Sequence, residues 1–267
     1  MASKLVPSDP AKVMVIRDVV PSTIATFSTP FWRFGRIKVG GRGTAVRMQS
    51  GGVAVFSPTA LTDDVKAKVA GMGEVKYITA MDMEHHIFIG PWHEAFPNAK
   101  VIGPEGLPEK RKQQNNEAVP FASIFKAKQI PSVDAEFDTE FDYEYVYGHI
   151  NKELVFLHKP TKTLIEADLI FNLPATEQFS KTGESATTGI LTKIFGALQK
   201  TSGMAQKRLI WYGTSGGDKA GFHQSMAKIN GWDFDRIIPC HGDVIETGGK
   251  GIFQHLMEWH IAAAKTS

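Results

Sequence analysis

Apolar and polar positions follow two different periods along the chain, and these predict strands mixed with single helices. Runs rich in apolar and β-branched residues, bounded by turn residues, predict buried strands. These runs lie at 13–20, 24–27, 53–58, 74–81, 100–106, 141–150, 152–160, 162–173 and 236–243. Three strand runs follow one another directly between 141 and 173, with turns at 151–152 and 160–161.

Helical spacing first appears after Thr62, an N-cap residue that precedes two aspartates. Val65, Val69 and Met72 then recur on one face, which predicts a helix that ends at Gly71 or Gly73. Similar spacing predicts further helices, which are centred on Phe88–Trp92–Phe96, Ile190–Ile194–Leu198, Phe222–Met226–Ile229 and Phe253–Met257–Ile261. The helix around Leu191 to Leu198 packs either internally or against a partner.

Two segments carry no clear period. Residues 108–135 are polar and irregular, so we expect an exposed excursion, and residues 174–190 are expected to form a mobile loop. Together the elements favour an α+β fold, a four-layer αββα sandwich in which helices cover two mixed sheets. A parallel doubly wound sheet is the alternative, but it requires strict alternation of strands and helices, which the run at 141–173 breaks.

Composition restricts the protein class more than it identifies it. The 267 residues, 42% hydrophobic and 22% charged, suit one globular domain over 1–267. A net charge of +2 without a long basic run argues against nucleic acid. The single cysteine, Cys240, excludes an intramolecular disulfide and a cysteine-based zinc cluster. With neither a secretory signal nor a membrane-spanning run, we expect a cytoplasmic protein without a membrane partner, whose oligomeric state is open.

Side chains that can bind a metal follow four predicted strands. They are Glu84, His85 and His86, then His149, Asp168 and His241. Imidazole and carboxylate ligands suit zinc, iron or manganese, and three or four of them leave a position for water or substrate. Each also has a structural alternative: Asp168 as a turn residue, His241 as a hydrogen-bonded core histidine, and Glu84 as a solvated carboxylate.

The order of these motifs resembles the metallo-β-lactamase superfamily over residues 13 to about 260. In that family the first loop reads HxHxDH, a later GH opens a strand, an aspartate ends a strand, and a last histidine lies in a PGHG-like turn. The matching positions here are Met81, Met83, His85 and His86 in the first loop, Gly148 and His149, Ala167 and Asp168, and His241 within 239–242. A branch of unassigned activity with this His-His loop is also similar across ELVFLHKPTKTLIEADLIFN.

The departures from the family pattern change the expected metal content. Met81 and Met83 replace two of the three imidazoles of the first metal position, and thioethers are poor ligands for Zn²⁺ among nitrogen and oxygen donors. The resemblance therefore implies one divalent ion, zinc first, with iron or manganese as alternatives. The expected ligands are His85, His86, Asp168 and His241.

Three functions remain open at this stage. The first is a metal-dependent hydrolase of an ester, lactone, thioester or amide in a small molecule, in which Glu84 or Asp82 accepts a proton or holds an imidazole. In it His149 is a fourth imidazole or donates to the oxyanion, and Phe31, Trp32, Phe34 and the loop from Phe171 wall an apolar pocket. The second is a non-haem iron oxygenase with the same ligands. The third is a non-catalytic binding protein on a decayed hydrolase fold.

Overall fold

The computed structural model describes residues 9–116, 118–129 and 131–266. The first eight residues, on which the prediction of no secretory signal partly rests, lie outside the described residues. The strands are β1 (Val15–Val20), β2 (Ile24–Thr29), β3 (Trp32–Arg33), β4 (Ile37–Lys38), β5 (Gly41–Arg47), β6 (Gly52–Phe56), β7 (Glu74–Thr79), β8 (Lys100–Pro104), β9 (Phe121–Phe125), β10 (Phe141–Val146), β11 (Glu153–His158), β12 (Thr163–Ile165) and β13 (Arg236–Ile238).

Helices occupy the segments between and after these strands. They are α1 (Pro10–Val13), α2 (Asp63–Met72), α3 (Ile89–Ala95), α4 (Leu107–Gln113), α5 (Ala135–Glu140), α6 (Thr176–Phe179), α7 (Ile190–Leu198), α8 (Met204–Leu209), α9 (Lys219–Asn230) and α10 (Gly249–Ala263). A 3₁₀ turn (Lys159–Thr161) follows β11, and a π-helical turn (Ile210–Thr214) follows α8. The helix predicted from Thr62 is confirmed, since Thr62 Oγ1 accepts from Val65 N and Gly73 ends the helix.

The strands form two mixed sheets and one small hairpin. The larger sheet has the order β1-β2-β5-β6-β7-β8-β9; its pairs are antiparallel as far as β6 and parallel from β6 to β9. The smaller sheet has the order β10-β11-β12-β13, in which only β12 and β13 pair in parallel. Strands β3 and β4 form the separate hairpin. The antiparallel pairs exclude the doubly wound alternative.

Three apolar cores hold the layers together. Between the sheets, Phe56 of β6 packs on Phe156 of β11 with 4.9 Å between ring centroids. On the outer face of the larger sheet lie α2 and α3, through residues such as Val69 and Trp92. The outer face of the smaller sheet is covered by α9 and α10, through residues such as Phe222, Met257 and Phe253. The predicted αββα sandwich is confirmed.

Both segments without a clear period contain regular structure, so the irregular course predicted for 108–135 was wrong. Within 108–135 the structure has part of α4, all of β9, which pairs with β8, and the start of α5, although most of the described residues there are exposed or half-buried. Gly106, at φ +83°, allows the turn into α4. The polar residues of α4 gave no helical pattern from which this helix could be predicted. Within 174–190 lies α6, whose Phe179 joins a fourth apolar cluster with Val39 and Phe171. The mobility expected of 174–190 stays a prediction.

Candidate metal centre

Three of the predicted ligands converge. The ligand atoms of His85, Asp168 and His241 all lie within 4.8 Å of one another. The His85 Nε2 to His241 Nε2 distance is 3.2 Å, and Asp168 Oδ1 lies 3.2 Å from His241 Nε2. These side chains follow β7, β12 and β13, so one edge of the sandwich brings together residues from distant parts of the chain.

The loop after β7 is organised by Asp82, which is fully buried. Its Oδ1 accepts from the backbone N–H groups of Glu84 and His85, each at 2.7 Å. Its Oδ2 lies 2.9 Å from His85 Nδ1, so the carboxylate fixes both the turn and the imidazole. Met81 and Met83 turn into apolar cores, and neither contributes a ligand atom to the convergent group.

Asp168 is held in place by two neighbours from β11 and the turn before it. Glu153, fully buried, accepts from the backbone N–H groups of Ala167 and Asp168 at 2.8 and 2.9 Å. Asn151 Nδ2 donates to Asp168 Oδ2 at 2.6 Å. With Oδ2 and the backbone engaged, Asp168 Oδ1 has no hydrogen bond among the described residues and faces His241.

The turn that carries His241 is closed around a buried arginine. Arg42 donates to the carbonyl oxygens of Pro239 and Gly242 at 2.7 and 2.6 Å. Gly242 has φ +90°, and a Cβ there would lie 2.1 Å from Asn172 O, so only glycine fits. His241 Nδ1 donates to Gly40 O at 2.6 Å.

These outer contacts make the centre fit a cation. A carbonyl oxygen only accepts, so His241 Nδ1 carries the proton and Nε2 holds the lone pair. The carboxylate of Asp82 imposes the same tautomer on neutral His85. With both rings neutral, two nitrogen lone pairs and one carboxylate oxygen would point at one another, so the arrangement calls for a positive charge among them, either a proton on His85 Nε2 or a bound cation.

Charge and burial support the same conclusion. Burial lowers the pKa of His85, but the carboxylate charge, that of Asp82 above all, outweighs it and raises this pKa well above its usual range. Burial raises the pKa of Asp168, but the neighbouring His85 and His241 outweigh burial and hold this pKa well below its usual value. The carboxyl group is therefore ionised. A pocket that attracts a proton this strongly also attracts a divalent cation.

Aromatic rings enclose the imidazole of His241. Phe171 stacks on it with 4.9 Å between centroids, and Phe31 stacks at 6.1 Å. Trp32 packs edge-on against Phe179 at 4.8 Å, whereas Phe34 is 82% exposed at the tip of the β3–β4 hairpin. Of the aromatic residues expected around a pocket, Phe31 and Phe171 are in ring contact with His241.

His86 and Glu84 lie apart from the convergent group. His86 is buried, and its Nδ1 lies 3.2 Å from Arg111 Nη1. Arg111 Nη1 also donates to the backbone oxygen of His86 at 2.8 Å. Burial and the charge of Arg111 lower the pKa of His86 to about 4. The side chain of Glu84 is 62% exposed and pairs with Lys110 Nζ at 2.7 Å. Adjacent side chains in a turn point in different directions, so the structure groups His85 and not His86 with Asp168.

His149 lies buried beside this group. Its Nδ1 accepts from Asn151 N at 3.0 Å, so the neutral ring carries its proton on Nε2. That Nε2 has no hydrogen-bond partner among the described residues, and Glu153 Oε2 is 3.7 Å away. Burial lowers the pKa of His149, which keeps the ring neutral.

Comparison with known proteins assigns the family. The model of a domain of unknown function, DUF4336, matches residues 32–193, which is more than half of the chain. The chain belongs to the DUF4336 family. The match begins at the β3–β4 hairpin and ends in α7, so it includes Asp82, His85 and Asp168 but not His241. No curated protein matches this DUF4336 chain.

Solved structures identify the fold of this DUF4336 protein as that of the metallo-β-lactamase superfamily. DIM-1 metallo-β-lactamase is 13% identical with a TM-score of 0.57, over 94% of this chain and 98% of its own. A metallo-β-lactamase from Hirschia baltica is 10% identical with a TM-score of 0.57, over 93% and 98%. The Flv1 flavodiiron core from Synechocystis sp. PCC6803 is 11% identical with a TM-score of 0.59, over 92% of this chain and 60% of its own. The predicted resemblance is confirmed for the fold.

Sequence reasoning missed the residues that hold the ligands. Glu153, Arg42 and Asn151 are buried or half-buried polar residues inside or beside strands. In the sequence they look like the ordinary alternation of polar and apolar residues along a strand. The one available signal was the positive-φ glycine beside His241, because a glycine in a tight turn indicates close backbone approach.

None of the helices in the described residues is long and apolar enough to cross a membrane.

Proposed function

We propose that this DUF4336 protein is a mononuclear metal-dependent hydrolase that cleaves an ester, lactone, thioester or amide bond in a small organic molecule. The observation that carries the proposal is the convergence of His85 Nε2, His241 Nε2 and Asp168 Oδ1, with the opposite ring nitrogens engaged by Asp82 and Gly40. These three side chains would hold one divalent ion. Bound there, it supplies Lewis acidity and a water activated near neutral pH.

The chain's own residues have distinct parts in this proposal. Asp82 and Gly40 orient the two imidazoles through hydrogen bonds, and Glu153 and Asn151 aim the carboxylate of Asp168. The Nε2–H of His149 donates to the substrate oxygen as negative charge develops on it. Phe31 and Phe171 exclude water from the side of His241 that they cover.

The proposal chooses between alternatives that the sequence left open for two positions. Asp82, rather than Glu84, holds an imidazole, because Glu84 pairs with Lys110 at the surface. His149 acts as a hydrogen-bond donor rather than a fourth ligand, because its Nδ1 accepts a backbone N–H and its proton lies on Nε2.

The test begins with metal content. The purified full chain is stripped with a chelator, reloaded with zinc, manganese or anaerobic iron(II), and analysed for metal per chain. Each form is then assayed on p-nitrophenyl esters, an aryl amide, a thioester and a lactone. We expect one ion per chain, hydrolysis only in a loaded form, and loss of both in Asp168→Asn but not in the control His255→Ala. A stripped protein that is as active as the loaded one contradicts the proposal.

A second candidate has an observation of its own. Two histidines and one carboxylate form the 2-His-1-carboxylate set of non-haem iron oxygenases, and the convergent group has this composition. Iron in the purified protein, together with oxygen consumption that Asp168→Asn abolishes, would favour oxidation. Zinc content without oxygen consumption would favour hydrolysis. Stoichiometric metal with neither activity would leave a metal-binding protein without catalysis.

A further inference from the structure

Helix α7 departs from the usual rule, because four of its five large apolar side chains face solvent while Thr192 faces inward. Thr192 is buried and its Oγ1 accepts from Lys38 N at 3.2 Å. On the opposite side Ile190 and Ile194 are 78% and 54% exposed, and Leu191 and Leu198 are exposed as well. At 3.6 residues per turn these four form one stripe. We call Ile190, Leu191, Ile194 and Leu198 the α7 stripe.

Exposed apolar residues also flank this stripe. Helix α8 packs against α7 and begins with the exposed Met204. The β3–β4 hairpin lies against α7 on another side and carries Phe34 at its tip, between Arg33 and Arg36. Large exposed apolar patches on folded proteins mark interaction sites.

The charged residues of the segment that carries the stripe have one sign; Glu184, which precedes that segment, pairs with Lys38. Residues 185–217 contain Lys193, Lys200, Lys207 and Arg208 and no aspartate or glutamate. Lys207 is buried and pairs with Glu258, but Lys193, Lys200 and Arg208 are exposed and form no ion pair with a described residue. Lys193 and Lys200, seven residues apart, lie along one border of the α7 stripe, where they line a cavity of about 270 Å³.

We propose that this face docks on the surface of a lipid bilayer that contains anionic lipids, with the α7 stripe inserted among the acyl chains and the basic residues at the headgroups. An apolar helix face bordered by lysine and arginine is the composition of interfacial helices, and basic residues near the membrane are attracted by its negative surface potential. The lack of a membrane-spanning run predicted no membrane partner, but interfacial docking requires no span, and no described helix provides one.

A second copy of this chain is the less suitable occupant. A two-fold interface brings the same patch of both copies together. Here it would bring two basic borders, each with Lys193, Lys200 and Arg208, into one interface with no acidic residue in 185–217 to neutralise them. An anionic bilayer satisfies both the apolar stripe and its basic border.

Docking would hold the candidate metal centre near the lipid. Phe195 on the inner side of α7 packs edge-on against Phe171 at 6.0 Å, and Phe171 stacks on His241. The bilayer surface would therefore lie two ring contacts from His241. The docking itself does not depend on the proposed hydrolase activity.

The experiment is sedimentation of the full chain with large unilamellar vesicles of phosphatidylcholine alone or mixed with phosphatidylserine. We expect binding to the mixed vesicles, weakening in high salt, and little binding to phosphatidylcholine alone. Ile194→Ser should lower the partition coefficient about tenfold. Ile150→Ser is its matched control, since Ile150 is 57% exposed outside α7. Lys193→Glu should also lower partitioning, and Lys66→Glu on α2 should not.

Three results would overturn the proposal. The first is no sedimentation with either vesicle by folded wild-type protein, with folding checked by circular dichroism. The second is equal loss of binding in Ile194→Ser and Ile150→Ser. The third is a dimer in analytical ultracentrifugation that Ile194→Ser converts to a monomer, because the α7 stripe would then be covered by a second copy.

Discussion

Two pairs of buried or half-buried histidines face each other in this protein, and their surroundings give them different chemistry. In the candidate metal centre, His85 and His241 approach through Nε2 atoms at 3.2 Å, and carboxylates lie beside them. Between α9 and α10, His223 and His260 approach through Nδ1 atoms at 2.8 Å. The geometry of the two pairs is similar, so geometry alone does not identify a metal site.

The outer partners separate the two pairs. Acceptors hold the far nitrogens of His85 and His241, so their lone pairs point inward beside a charged carboxylate. His223 stacks on Trp211 at 5.3 Å, and Lys219 Nζ lies 3.8 Å from the centroid of the Trp211 ring. Burial lowers the pKa of His260 to about 3, and the charges of His223 and Lys219 add to this. One pair attracts positive charge, and the other excludes it.

The largest expected effect comes from removing one imidazole of each pair. His241→Ala should lower the affinity for a divalent ion by more than about 100-fold, because it removes a ligand rather than an orienting group. His260→Ala should leave the affinity unchanged but cost about 2–4 kcal/mol of folding free energy through a cavity and a lost hydrogen bond. Competition titration with a chromophoric chelator measures the first, and urea unfolding the second. Equal metal loss in both variants would erase the distinction.

An effect of intermediate size is expected from Asp82→Asn. The amide oxygen can still accept the N–H groups of Glu84 and His85, so the turn should survive, but the negative charge beside His85 Nδ1 is lost. Metal affinity should fall about 10- to 100-fold, the usual range for a partner behind a ligand. Asp218→Asn is the control, since aspartate and asparagine are about equally good N-cap residues for α9. An unchanged affinity in Asp82→Asn would mean that His85 is oriented without the carboxylate.

The comparison also shows how far sequence reasoning reaches. The layers and most strands were predictable, because burial of one face spaces apolar residues every two positions in a strand and every 3.6 positions in a helix. The convergence of His85, Asp168 and His241 was predictable from their places after strands, although spacing could not separate His85 from His86. The preference of one imidazole over its neighbour depends on Asp82 and Arg111, contacts that no local pattern contains. Similarly, α7 was predicted from its period, but the outward direction of its stripe was not, because periodicity does not state which side is covered.

A smaller effect on folding stability is expected from the second pair in acid. In the unfolded chain a histidine binds its proton near pH 6.5, but folded His260 binds it only near about 3. Between these values the unfolded state holds more protons, so the free energy of unfolding falls as the pH falls from about 6.5. His260→Phe keeps a ring against Phe222 and removes this titration, so its loss of stability between pH 7 and pH 5 should be about 2 kcal/mol smaller than in wild type.

This measurement is made by urea unfolding with a chelator present, so that metal release does not contribute. His255→Phe, on the same helix but outside the pair, is the control. If the stability of His260→Phe falls with acid as steeply as that of wild type, the α9–α10 pair is not a proton-excluding contact.

The smallest expected effect is that of His86→Asn, which tests whether His86 is a metal ligand as the family pattern implies. The family pattern aligns His86 with a metal ligand, whereas the structure turns His86 toward Arg111 and brings His85 to Asp168 and His241. His86→Asn should therefore change metal affinity by less than about threefold and cost about 1 kcal/mol of stability for the altered contact with Arg111. His85→Asn should lower the affinity as strongly as His241→Ala. If the family alignment were the correct guide to the ligands, the chelator titration would show as large a loss of affinity in His86→Asn as in His85→Asn, because both imidazoles would then hold the ion.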